Sequence, residues 1–278
     1  MVKEYPQNRL LDALTDEAYH EAPGVRSTAL KAGVKSPAHF NAYLQQPRAD
    51  TPAFRFGRLC HLAILEPFKF AQLVHARPDV GDLRTAKGKA ALAEWKLGLP
   101  PGTQDVSAEE MHHLTGMVRA AHEHPRLSQL LRNGQAEQSL LWEDDAHGLS
   151  CKARYDWVSQ NGVICDLKTT TDSSLEKFGR DALSMGYYLS AAHYLEGARV
   201  TGVANPDTFV LVAIEKVPPY GIGLYTLGGD VLDWGHQWRH HAMLNIGRAM
   251  QGDRSGYPDH FQVLELPKWA PRPIDFTT

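Results

Sequence analysis

The stretch CKARYDWVSQNGVICDLKTTT, Cys151 to Thr171, carries two strand-like runs on either side of the turn signal Asn161-Gly162. Such a pattern predicts a β-hairpin, here over 149–158 and 163–169. Side chains alternate along a strand. Lys152, Arg154 and Asp156 therefore share one face of the first strand, with Cys151, Ala153, Tyr155 and Trp157 opposite. On the second, Ile164, Asp166 and Lys168 share a face, and Val163, Cys165 and Leu167 take the other. A two-residue loop at Asn161-Gly162 would pair Trp157 with Asp166 and part the two aspartates. A three-residue loop, Gln160 to Gly162, pairs Ser159 with Val163 and Asp156 with Asp166, and a slip of one residue exchanges the two outcomes. Two carboxylates beside a lysine form a donor set for a hard divalent cation. A cation held there lowers the pKa of a bound water, and a lysine can orient that water, a combination that suits phosphodiester hydrolysis. That chemistry needs the shared face, so the expectation is the three-residue loop, with Gly162 in the left-handed position.

Around this hairpin the chain divides into helical and strand-forming parts. Ser36-Pro37 and Thr51-Pro52 each place an N-cap before a proline at the first helical position, which predicts helices over 37–45 and 52–65. Further helices are expected over 85–97, stopped by Gly98, and over 107–132, opened by the capping box Ser107–Glu110 and broken at Pro125. After Gly134 the strand signals begin with 137–143 and the hairpin. Two helices, 174–184 and 186–198, a strand pair over 207–217 and 221–227, and a last helix over 230–251 follow. The order predicts a mixed α/β fold with helices on a sheet. We expect an N-terminal extension over 1–24, one domain over 25–256 and an extended tail over 257–278.

The chain has 278 residues, 43% apolar and 22% charged, ordinary values for a globular protein. No apolar run reaches the ~18 residues of a membrane span. The opening Met1-Val2-Lys3-Glu4-Tyr5 lacks the apolar core of a signal peptide, and three cysteines, Cys60, Cys151 and Cys165, do not make a disulfide framework, so a cytoplasmic location is expected. Three cysteines also exclude a four-cysteine metal site within one chain. A net charge of -3 places any polyanion site in a local basic patch. The pairs His112-His113 and His240-His241, and His122-Glu123-His124, read as exposed surface histidines, because neighbours on a helix point about 100° apart.

The pattern Asp156…Asp166-x-Lys168 resembles the active-site hairpin of the PD-(D/E)XK nuclease superfamily. Thr51–Pro67 (TPAFRFGRLCHLAILEP), Lys87–Trp95 (KGKAALAEW), Cys151–Val158 (CKARYDWV), Cys165–Asp172 (CDLKTTTD) and Glu215–Tyr220 (EKVPPY) extend the likeness. In this order they resemble the nuclease domain of RecE-type exonuclease VIII proteins, also found in prophages, over about residues 25 to 245. The resemblance implies a PD-(D/E)XK core, a central mixed sheet flanked by helices with an N-terminal helical region. It implies Asp156 and Asp166 as metal-binding carboxylates, the Leu167 carbonyl as a further ligand and Lys168 as the catalytic lysine. His61 would approach the metal, and Glu137 would add an acidic group. Arg58, Lys152, Arg154, Lys31 and Lys35 are candidate phosphate contacts. The metal would be Mg²⁺, with Mn²⁺ a good substitute for a site with a nitrogen ligand. The implied activity is 5′→3′ digestion of one strand of duplex DNA by a ring-shaped homo-oligomer, supplying a single-strand-annealing recombinase of the RecT type. A RecB-like endonuclease or a weakly cutting DNA-binding subunit is the alternative. Tyr155 stands where many superfamily members have proline, and Asp166 where many have glutamate. Ser190, four residues before Tyr194, stands where RecB-like nucleases show glutamine in Gln-x-x-x-Tyr, which bears on DNA positioning.

Overall fold

In the computed structural model, residues 9–11, 14–46, 50–205 and 208–266 are described. Within them a six-stranded mixed sheet has the order β1-β4-β5-β6-β7-β8, built from Arg9–Leu11, Gly134–Asp144, Leu149–Ser159, Ile164–Thr170, Phe209–Glu215 and Ile222–Thr226. All neighbours are antiparallel except β6 and β7, which run parallel because a helical crossover joins them. A small parallel pair, β2 (Val74–Ala76) and β3 (Gln104–Val106), lies apart from it. Strand β7 (FVLVAIE) is covered on both faces. Its Phe209, Leu211 and Ala213 enter one apolar cluster and Val210, Val212 and Ile214 the other.

The first cluster is closed by α2 (Ser27–Gly33), α3 (Pro37–Gln45), α10 (Tyr187–Thr201) and α11 (Gly229–Met250). The second is closed by α4 (Pro52–Leu65), α7 (Ala108–Glu123) and α8 (Pro125–Leu130). The helices α1 (Asp16–Glu21), α5 (Pro67–Leu73), α6 (Ala86–Leu97) and α9 (Leu175–Ser184) complete the chain. The caps act as the sequence predicts: Ser36 accepts from the His39 amide and Thr51 from the Phe54 amide, while Ser107 and Glu110 form the reciprocal box. Pro125 divides the expected long helix into α7 and α8, with His124 capping the second. Among the described residues no helix is long and apolar enough to cross a membrane. The tail shows no helix or strand over 257–266, and 267–278 lies outside the described residues.

The hairpin has the expected register. Trp157 pairs with Cys165 and Val158 with Ile164, the Ser159 amide donates to Val163 O, and Gly162 takes φ +78°. The ladder between β5 and β6 ends there, although both strands continue. β5 stays paired with β4 back to Leu149, and β6 stays paired with β7 out to Thr170. The two strands therefore fork at the position where Asp156 faces Asp166. Val25 pairs with Cys151 in a parallel bridge. Since the other edge of β5 is taken by β4, this segment occupies the edge that β6 has left.

Candidate active site and metal centre

The fork leaves the backbone of Leu167 without a strand partner on the β5 side, and side chains take up its polar groups. Its N–H donates to Asp156 Oδ2 at 2.7 Å. Its carbonyl accepts from His61 Nε2 at 2.9 Å and lies 3.4 Å from Lys168 Nζ. His61 comes from α4, where Leu59, Cys60, Ile64 and Leu65 anchor the helix in the second cluster and aim the imidazole at the sheet. With Nε2–H committed to a carbonyl, Nδ1 faces Asp156 Oδ1 at 3.5 Å. A histidine whose second ring nitrogen donates to a backbone carbonyl is oriented as a metal ligand usually is.

Glu137 joins this group through a distortion of β4. Every residue of β4 from Gly134 to Asp144 pairs with β5 except Glu137, which would lie opposite Asp156. Its φ is +53°, left-handed backbone that a side-chain-bearing residue adopts at a cost of about 1–2 kcal/mol. The same step appears in β5. Tyr155 enters the first cluster, yet Trp157 enters the second. Simple alternation, which put Trp157 on the face of Tyr155, is thus broken at Asp156. The paired kink brings ligand atoms of His61, Glu137 and Asp156 within 4.8 Å of one another.

Asp166 and Lys168 complete the site. Lys168 Nζ lies 2.5 Å from Asp166 Oδ2, an oxygen that is buried and receives no well-directed hydrogen bond. Burial pushes the Asp166 carboxyl up to about 6, with Lys168 opposing and Asp156 adding to the rise. Burial and then the neighbouring Asp156 push Glu137 up to about 7. Asp156 goes the other way: burial opposes ionisation, but His61, Lys168 and the Leu167 amide hold its carboxyl well below the usual carboxylate range. Burial lowers His61, yet Asp156 outweighs it and leaves the imidazole raised. Three converging carboxylates, two of them reluctant to ionise, and an under-bonded buried oxygen fit a divalent cation. His61 Nδ1, Glu137, Asp156 and Asp166 are the side chains that would hold it. The Leu167 carbonyl is engaged by His61, so its first role is to fix that ring.

The expected phosphate contacts fare differently. Lys152 is corrected: it is 4% exposed, and its ammonium donates to the carbonyls of Tyr19, His20 and Ala22. Arg154 donates to Ser139 Oγ and to the Leu14 and Thr15 carbonyls, lies over the Tyr19 ring and sits 3.8 Å from Glu137. Both are bound by the segment around α1, which no sequence signal announced. Arg58 is exposed and paired with both oxygens of Asp50. Ser190 is buried on α10, its amide donating to Gly186 O. Tyr194 packs edge-on to Tyr155 at 5.3 Å between centroids. The surface histidines are corrected in part: His124 caps α8, His113 bonds the Tyr220 hydroxyl, and His240 bonds His147.

The Glu137 geometry predicts a trade between stability and chemistry. The folded pKa of Glu137 is raised, so the native state binds its proton more tightly than the unfolded chain, and its contribution to stability falls as pH rises from about 4.5 through about 7 and then levels off. In EDTA, Glu137→Gln should match the wild type near the lower limit and exceed it in Tm by a margin that widens as pH rises. Glu137→Gly should add about 1 kcal/mol more by relieving the left-handed backbone. Thermal melts across this pH range decide it; a margin that stays flat would show that folding does not hold the Glu137 carboxyl above its ordinary pKa.

The family model of the PDDEXK-like domain of unknown function (DUF3799) matches residues 27–263. No curated protein matches the chain. Among solved structures, one described as "Putative exonuclease" from Eubacterium rectale superposes with a TM-score of 0.58 at 16% identity, covering 92% of this chain and 96% of that one. At that identity the likeness is one of fold. A second, described as SSO0001, has a TM-score of 0.28 at 12% identity over 82% of this chain and 86% of that one, too low to carry an argument.

Proposed function

Because the chain belongs to the PDDEXK-like domain family DUF3799, we propose that it is a metal-dependent deoxyribonuclease whose site is the fork between β5 and β6. The observation that carries this reading is the meeting of His61, Glu137 and Asp156 within 4.8 Å, with Asp166 and Lys168 paired beside them. A bound Mg²⁺ or Mn²⁺ would supply Lewis acidity at a phosphoryl oxygen and a water of lowered pKa. Asp156, Glu137 and Asp166 would hold it through oxygen, and the His61 nitrogen would make Mn²⁺ a good substitute. Lys168 stays charged: burial lowers its ammonium, but Asp166 and then Asp156 outweigh that and raise it. Its Nζ lies beside Asp166 and the Leu167 carbonyl, from where it would orient the attacking water and offset charge on the phosphate.

The order of the five sequence segments supports a finer reading: a 5′→3′ exonuclease on linear duplex DNA that leaves a 3′ single strand for an annealing recombinase, acting as a ring-shaped homo-oligomer in the cytoplasm. End-labelled linear duplexes with a 5′-phosphate or a 5′-hydroxyl, incubated with Mg²⁺, Mn²⁺ or EDTA, test both levels. Mononucleotide release from the 5′ end with either metal, and none in EDTA, is the expected result. Cleavage of a closed circle would replace the exonuclease by an endonuclease. No metal-dependent cleavage of any DNA would overturn the assignment.

A further inference from the structure

Lys31, on α2, stands at the rim of the fork with an unusual set of neighbours. It is half-buried, and among the described residues it has no ion pair. Its ammonium lies over the Tyr187 ring at 6.0 Å, and the Lys168 ammonium lies over the same ring at 5.2 Å. Its stem runs past Gly186, where an added Cβ would lie 3.4 Å from Lys31 Cε. Gly186 has φ +67° and caps α10, so the absence of a side chain permits that turn, and the lysine stem packs beside it. The carboxylate that acts on Lys31 is Asp166, which already holds Lys168. Burial pulls the Lys31 ammonium below its ordinary pKa, and Lys168 pulls it further. Two lysines meet one aromatic ring; Asp166 is paired with Lys168 and Asp156 acts on Lys168 as well, so the Lys31 ammonium is the one left to meet a further anion.

We infer that Lys31, with the Tyr187 ring as its floor, binds a backbone phosphate next to the one cleaved, so that the site takes a polynucleotide rather than a lone phosphodiester. The inference rests on the nuclease reading. Lys31 is a positioning residue in it, and Lys168 serves the bond that breaks. The chemistry is that of an ammonium meeting a phosphate oxygen, which adds affinity without sequence preference.

Steady-state cleavage by the full chain with Mg²⁺ tests this, using wild type, Lys31→Gln and Lys31→Arg on two substrates. One is a linear duplex. The other is a dinucleoside monophosphate, which has one phosphodiester and no neighbouring phosphate. On the duplex, Lys31→Gln should raise KM roughly tenfold with kcat little changed, and lower the slope of log affinity against log salt by about one. Lys31→Arg should restore most of the loss. On the dinucleoside monophosphate, wild type and Lys31→Gln should turn over alike. Unchanged KM and salt slope for Lys31→Gln on duplex would overturn the inference. So would a fall in kcat alone, or an equal loss on the small substrate. A wild type that cuts neither substrate would instead remove the nuclease reading beneath it.

Discussion

Asp156→Asn is expected to lower cleavage by roughly a thousandfold or more, because Asp156 joins the Leu167 amide, His61 and Glu137 at one point. Its Oδ2 holds the Leu167 amide, its Oδ1 faces His61, and it lies opposite the kinked Glu137. Asparagine keeps the shape and can still accept from the Leu167 N–H, so the loss would report charge rather than collapse. Metal binding supplies an independent readout: titration of Mn²⁺ into the variant should show affinity weakened by about a hundredfold. Activity within a few-fold of wild type, or unweakened Mn²⁺ binding, would remove Asp156 from the centre.

The second large effect is expected at Lys168, with the opposite pattern in binding. Lys168→Met should cut the rate by about a hundred- to a thousandfold while Mn²⁺ binds at least as tightly as before. The ammonium at 2.5 Å from Asp166 Oδ2 competes with any cation for that oxygen. With it gone, the Asp166 carboxyl, already raised by burial, loses its main opposing influence and titrates higher still. The metal dependence of the residual rate should therefore steepen with pH. A rate close to wild type would show that the lysine serves only to neutralise Asp166.

The parts of this molecule that could be read from the sequence are those set by neighbours along the chain. Thr51-Pro52, Ser36-Pro37, Ser107–Glu110 and Pro125 act through local capping and through the missing proline N–H, and each is where it was expected. The hairpin register followed from the face that Asp156 and Asp166 need, and Gly162 accepts the positive φ it requires. The start of α5 was missed because Pro67 reads as the end of one helix while it also opens the next. The left-handed Glu137 was not legible. A glutamate carries no preference for positive φ, and only the packing of β4 against β5 holds it there. Lys152 and Arg154 looked like phosphate contacts because alternation shows only which face a side chain takes. It does not show that α1 and its flanking carbonyls lie on that face.

The short pairing of Val25 with Cys151 bears on all of this. Gly24, at φ +129°, lets the chain pass so close that an added Cβ would stand 2.9 Å from the Cys151 carbonyl carbon. His193 on α10 donates from the same nitrogen toward both the Val25 and the Lys152 carbonyls, fastening the intruding segment from behind. Two adjacent strands with matched register would otherwise zip together, each closing pair adding the next. This piece of chain works as a wedge driven into that zipper. The width of the fork is thus a dimension imposed by residues with no chemistry of their own, and a side chain at position 24 would act on the spacing of Asp156 and Asp166 as a change of span.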